Sequence, residues 1–345
     1  MLKSNIRKSF SRLIKIDYSD LNSNNIFPQL EDAFGLNNGL GVICIKGIPK
    51  FESVRFNLLY NGFKLANLNQ SIHDSLERKE TNYIYGWSKA KSATHETKDY
   101  RLACFYQKAS KIGDQVDVWP DNFIPNFKQS FHDYCDLVTN CQIRLLKHLD
   151  DYACSKSKFY IKNTLYNSCS PLNNAIGRLL MYYPDENNNL DKRKKELIGW
   201  HRDVANLTAL PYPMYLNKNG EIQHNVKSGI VVKDKNQNEV EIEYNEDELI
   251  IQIGDLGFIL SGGCLISTPH CAMNSQNSIY DLYRITIALF MEPQENYFIK
   301  IPDGISPKTL FESDPYGSNY RLTSWTGDTT YKDFLMKAND IVYKN

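Results

Sequence analysis

LIIQIGDLGFILSGGCLISTPHCAM, residues 249–273, decides how the chain is read. Asp255 and four glycines (Gly254, Gly257, Gly262, Gly263) break this most apolar part of the sequence into short runs. A membrane-spanning helix needs about 20 uninterrupted apolar residues, so the stretch is expected to form strands at 249–253, 257–260 and 269–273 instead. Further strand signals lie at 178–183, 199–203, 229–232 and 283–291, separated by turn residues such as Asn217 to Gly220. Seven or more short strands within about 115 residues imply a sandwich or barrel.

Upstream, residues 12–48 alternate a strand-like run, an amphipathic helix near 28–34 and a second strand at Val42 to Ile45, a small α/β unit. Helical patterning follows at 52–68 and again at 127–152, where Phe127, Phe131, Tyr134, Val138, Cys141, Leu145 and Leu149 recur at helical spacing. Such a helix must bury its apolar face, and the predicted sheet is the natural surface for it. The Asn- and Lys-rich segment 185–196 reads as a solvated excursion, and 331–343 as a closing helix. The chain therefore divides into an α/β region (1–125), a long helix with the strand-rich core (126–293) and a C-terminal extension (294–345).

The 345 residues are 42% hydrophobic and 23% charged, an ordinary globular composition that excludes disorder for the bulk. Forty basic and forty acidic residues cancel, so no global field draws a nucleic acid, and none is expected as partner. The eight cysteines form no CxxC pair, and reduced thiols in a cytoplasmic setting are expected. The basic, acid-free first 16 residues are compatible with organelle import, or simply with a basic arm.

The chemistry centres on Gly199-Trp200-His201-Arg202-Asp203. On a strand, residues two apart share a face, so His201 and Asp203 would present an imidazole and a carboxylate together. His270, in Ser267-Thr268-Pro269-His270-Cys271, offers a third ligand from a later strand. Two histidines and a carboxylate make the facial triad of non-haem Fe(II) sites, which keeps positions open for substrate and O2. Taken alone the His-x-Asp pair is weak, because a strand histidine is more often a hydrogen-bonded structural residue. Arg284 and Thr286 also lie two apart on a predicted strand and would project to one side. A buried guanidinium needs an anion, which an internal acid could supply or, equally, a dicarboxylate cosubstrate gripped in bidentate fashion. Tyr183 could add a phenolic donor to that carboxylate. His73, His95, His132, His148 and His224 read as ordinary surface or structural histidines, and Trp200 and Cys271 as packing residues facing away from the ligands.

In order, YYP (Tyr182 to Pro184), HRDVANLTAL (His201 to Leu210), IGDLGFILSGG (Ile253 to Gly263), TPHC (Thr268 to Cys271) and YRITIALFMEP (Tyr283 to Pro293) resemble the isopenicillin N synthase-like branch of the Fe(II)- and 2-oxoglutarate-dependent dioxygenases. LIKIDYSDL to GVICIKGIP is similar to that family's N-terminal region, and YGWSKAK with ACFYQKA to a subgroup of largely unassigned function. The resemblance spans about residues 12–293. It implies a mostly β fold with flanking helices, its core a double-stranded β-helix (jelly roll, cupin-like) with an N-terminal α/β region. It also implies that His201, Asp203 and His270 hold Fe(II) and that Arg284, Thr286 and Tyr183 hold the far carboxylate of 2-oxoglutarate. The implied activity is O2-dependent oxidation of a small-molecule substrate with release of succinate and CO2, ascorbate stimulating, by a monomer or weak homodimer with no membrane association.

Two departures matter. The interval from Asp203 to His270 is longer than in the plant relatives, which implies an enlarged loop around 217–248. The Arg-x-Thr pair also occurs in relatives that consume no 2-oxoglutarate, so an oxidase of that kind stays open. So do a zinc hydrolase, which would lack a general base such as the Glu of HExxH, and a degenerate jelly-roll binding protein. Since imidazoles ligate only when neutral, iron affinity is expected to fall as pH drops through about 6.5.

Overall fold

The computed structural model describes residues 12–22, 26–81, 83–89, 101–110, 118–170, 174–184, 196–273, 281–317, 327 and 329–344. The excursion at 185–195, the basic arm to residue 11 and His95 lie outside them. No helix among the described residues is long and apolar enough to cross a membrane.

The strands are β1 (Ile14–Asp17), β2 (Val42–Lys46), β3 (Gly86–Lys89), β4 (Leu102–Lys108), β5 (Ile176–Tyr182), β6 (Glu196–His201), β7 (Leu207–Pro211) and β8 (Met214–Leu216). They continue with β9 (Ile230–Lys233), β10 (Glu239–Glu241), β11 (Leu249–Ile253), β12 (His270–Met273), β13 (Tyr283–Met291), β14 (Phe298–Ile299) and β15 (Thr329–Thr330). Helices α1 (Phe27–Phe34), α2 (Phe51–Ala66), α3 (Gln70–Leu76) and α4 (Phe127–Lys156) precede the core strands or flank them. The short α5 (Thr164–Ser168), α6 (Asp255–Leu260) and α7 (Pro307–Glu312) and the closing α8 (Tyr331–Lys344) complete the set.

The main sheet runs β1-β2-β11-β7-β13-β5-β4-β3 with β8 paired to β13, and the second runs β10-β9-β12-β6. Strands of the first 125 residues are thus hydrogen-bonded into the same sheet as the core strands. The alternation along β13 explains the layering: Ile285, Ile287, Leu289 and Met291 join the helix-side core, where α4 buries Phe131, Val138, Leu145 and Leu149. The intervening face of β13 turns toward the second sheet, where Leu180, Tyr182, Ile250 and Ala288 meet Leu197, Ile230, Val232 and Ala272. The result is mostly β with flanking helices, two sheets enclosing a cavity in the manner of a jelly roll.

Two strand expectations are corrected. Residues 257–260 are helical, the end of α6, and every residue of that helix is buried. A short, continuously apolar run does not distinguish a buried strand from a buried helical turn. β6 ends at His201, so Asp203 stands in the following loop rather than on the strand. What brings it beside His201 is a turn pinned from behind: Asp255 N–H donates to Asp203 O at 2.7 Å and Gly254 N–H to Asn206 O at 3.0 Å. Gly254 must be a glycine here, since a Cβ would lie 2.0 Å from Ala205 O.

Candidate functional site

His270 opens β12 directly across from His201 at the end of β6, and the two rings sit 4.4 Å apart. Asp203 lies between them, 3.6 Å from His201 Nε2 through Oδ1 and 3.6 Å from His270 Nε2 through Oδ2. The three ligand atoms all fall within 4.8 Å of one another. Each imidazole spends its other nitrogen on the backbone: His201 Nδ1 meets Gly199 O at 2.8 Å and His270 Nδ1 meets Thr268 O at 3.2 Å. Those carbonyls accept only from an N–H, so Nδ1 carries a proton in both rings, and the tautomer this selects in the neutral ring has its lone pair on Nε2. Two imidazole Nε2 atoms and a carboxylate on one side of a cavity suit Fe(II) with open positions remaining.

Arg202, between the two ligands, points the other way and anchors their loop. Its Nε donates to Asp255 Oδ1 at 2.7 Å and its Nη1 to Asp314 Oδ2 at 2.6 Å, all three side chains being buried. Burial holds the Asp314 carboxyl above its ordinary value even with Arg202 opposing the rise. The C-terminal extension is thereby tied to the loop that carries Asp203. Removing one partner of a buried pair costs about 3–5 kcal/mol. Asp314→Ala is expected to lower the thermal midpoint by about 5–10 °C and metal affinity by about tenfold or more. Differential scanning fluorimetry and metal titration check both, and unchanged metal affinity would show that the clamp does not orient the ligands.

Arg284 and Thr286 project from β13 into the same cavity, with 3% and 5% of their surface exposed. The guanidinium is held by Tyr215 Oη (from Nε, 3.3 Å) and Ser228 O (from Nη2, 3.2 Å) and lies over the Tyr182 ring at 5.3 Å. All five residues, His201, Asp203, His270, Arg284 and Thr286, border one cavity of about 290 Å³.

Tyr183 does not join them. Its hydroxyl donates to Ala66 O at 2.7 Å and Lys89 Nζ sits 4.0 Å over its ring, on the α2 side of the sheet. β5 ends at Tyr182, which faces the cavity opposite Arg284, so the expected phenol is off by one residue and therefore by one face. Cys271 is buried as expected but borders the cavity. His73 stacks on Trp87, and His132 and His148 bond backbone carbonyls, as structural histidines do.

The cavity also takes in Arg178, Phe290, Glu292 and Leu335, which the sequence reading did not single out. Phe290 was within reach of it, being two further steps of two along β13 from Thr286. Burial pushes the Glu292 carboxyl up to about 7; the Tyr331 hydroxyl works against the rise and the Asp203 charge with it. Folded protein therefore binds this proton more tightly than unfolded protein, whose carboxyl titrates near its ordinary value of 4.5. The group consequently costs stability as pH rises from about 4.5 toward 7 and leaves it untouched below. In metal-free protein, Glu292→Gln is expected to raise the thermal midpoint by about 3–5 °C at pH 8 and not at pH 4. An equal gain at both pH values would contradict the assignment.

No family model matches the chain, and no curated protein matches its sequence. Solved structures do match in shape. A full-length Neurospora crassa protein in complex with alpha-KG aligns at TM-score 0.69 and 18% identity, covering 99% of this chain and 100% of that one. JOX2 in complex with 2OG, Fe and JA aligns at TM-score 0.67 and 13% identity over 95% of this chain and 85% of the other. The rice dioxygenase for auxin oxidation aligns at TM-score 0.62 and 14% identity over 94% of each. What the chain shares with these three structures is the fold, a jelly-roll core with flanking helices.

Proposed function

We propose that the protein is an Fe(II)- and 2-oxoglutarate-dependent oxygenase acting on a small molecule. The observation that carries the reading is the pairing, across one cavity, of three preset metal ligands with a buried Arg-x-Thr pair. His201, Asp203 and His270 would hold the iron, and Arg284 with Thr286 would hold the far carboxylate of 2-oxoglutarate. When bound, the iron supplies the redox chemistry by which O2 oxidises substrate and 2-oxoglutarate to product, succinate and CO2. The chain supplies geometry. The Gly199 and Thr268 carbonyls keep both Nε2 atoms turned to Asp203, where they would hold the metal, and Tyr215 with Ser228 O fixes the Arg284 fork. Burial of the guanidinium between the sheets would strengthen its pairing with a carboxylate.

A zinc hydrolase would leave Arg284 and Thr286 without a role, and the ordered motifs favour the isopenicillin N synthase-like branch. The division into 1–125, 126–293 and 294–345 is proposed, the first two regions sharing the main sheet and the third pairing β14 with β15 in a small sheet of its own. A cytoplasmic setting accords with eight free cysteines.

The test is to supply anaerobically purified protein with Fe(II), ascorbate and 2-oxoglutarate, admit air, and quantify succinate, with His201→Ala and Arg284→Ala alongside. Iron-dependent succinate lost in both variants supports the reading. O2 uptake without succinate would point to an oxidase of the same fold, and absence of metal binding to a binding protein.

A further inference from the structure

Among the described residues, two acids border the cavity, Asp203 and Glu292. Asp203 belongs to the proposed metal site, and Glu292 has no part in it. Nor does Glu292 suit 2-oxoglutarate, a dianion that a carboxylate repels and whose two ends fall to Arg284 and the metal. The cavity face of β13 runs Arg284, Thr286, Ala288 and Phe290, and Glu292 continues it one residue past the strand end. It stands beside the loop that carries Asp203, because Leu207 pairs with Met291 and Asn206 N–H donates to Met291 O at 3.0 Å.

Its setting is that of a receptor for a cation. The residue is half-buried and borders the cavity, so its open surface faces that space. Burial nevertheless pushes its carboxyl up to about 7. The Tyr331 hydroxyl bonds it, which uses one of the roughly four acceptor sites of a carboxylate. The charge that acts on it from the described residues is that of Asp203, which has the same sign. Ionised, it costs the fold stability, and a bound ammonium would supply both the missing counter-charge and N–H donors for the remaining sites. Phe290, preceding it on the same face, adds an aromatic ring, a further attraction for a cation. Leu335, one helical turn after Tyr331 on α8, brings an apolar side chain to the same cavity.

Resting on the oxygenase reading above, we propose that Glu292 is the substrate anchor and that the substrate is a small amine, bound as its ammonium ion. The nitrogen pairs with the Glu292 carboxylate, and an apolar body lies along Phe290 and Leu335. Because Glu292 adjoins the loop of Asp203, the carbons brought to the metal are those close to the nitrogen.

The test titrates full-length protein loaded with Mn(II) and 2-oxoglutarate with benzylamine, phenethylamine and isopentylamine, and with the alcohol of each, by calorimetry at pH 8. At least one amine is expected to bind tenfold or more tightly than its alcohol. Glu292→Gln should erase that preference and Glu292→Asp keep part of it, with 2-oxoglutarate affinity in both variants within threefold of the parent. Retained 2-oxoglutarate binding also shows that the variants are folded. Amines no better than their alcohols, neither of them binding included, would overturn the proposal. So would a preference that survives in Glu292→Gln, because the amine would then be held by the metal, or a Glu292→Gln variant that loses 2-oxoglutarate as severely as the amine. Failure of the parent to bind 2-oxoglutarate at all, seen in the first titration, would instead overturn the oxygenase reading on which the proposal rests.

Discussion

Asp203→Ala is expected to lower metal affinity by more than about a hundredfold and to bring iron-dependent succinate formation to background. Even partners that only orient a metal ligand are worth about 10–100-fold, and Asp203 would itself be one of three ligands and the anionic one among them. It sits 3.6 Å from the Nε2 atom of each histidine, so its removal takes away the charge that both nitrogens face. Unlike the histidines, it is carried by a loop whose shape is held by the backbone of Gly254 and Asp255. The fold should therefore survive the substitution. Metal titration with circular dichroism as a folding control checks this, and metal binding within tenfold of the parent would remove Asp203 from the centre.

The second large effect is at Arg284. Truncating one partner of a desolvated, hydrogen-bonded charge pair costs about 2–5 kcal/mol, so Arg284→Met is expected to weaken 2-oxoglutarate binding by about a hundredfold while preserving side-chain bulk. Lysine would restore the charge but not the fork, and Arg284→Lys should recover only part of the loss. Because Tyr215 and Ser228 O are bonded to the guanidinium, both variants also vacate those contacts. The readout is consequently 2-oxoglutarate affinity compared with metal affinity. A parallel fall in both would mean that the site had collapsed, and no change in the first would assign Arg284 a structural role.

Much of this arrangement is legible in the sequence because it obeys the two-residue period of strands. Arg284 and Thr286 share a face of β13 for that reason, and the facing strand adds Tyr182 by register. The same rule misplaced the phenol, because parity is decided by where β5 ends, and the sequence YYP does not mark whether the first or second tyrosine turns inward. For Asp203 the pairing was foreseen for a different reason than the one that operates, since a backbone-pinned loop, not the strand, sets it beside His201. Nor is the helical turn visible in 257–260, the part of α6 where every residue is apolar or glycine and all are buried.

The C-terminal extension was the least readable part. Asp314 meets Arg202 across 112 residues of sequence, and neither residue carries a local pattern that announces its partner. Tyr331 and Phe334 of α8 enter the helix-side core while Leu335 reaches the cavity rim. Amphipathicity predicts that such a helix packs, but its destination depends on which apolar surface is left uncovered by the other elements.

The measurement that bears most directly on the account is anomalous diffraction from crystals grown anaerobically with Fe(II) and 2-oxoglutarate. The account predicts a single iron peak shared by His201 Nε2, Asp203 and His270 Nε2, with the far carboxylate of 2-oxoglutarate on Arg284 and Thr286. Iron bound elsewhere, or a 2-oxoglutarate whose far carboxylate avoids Arg284, would contradict it.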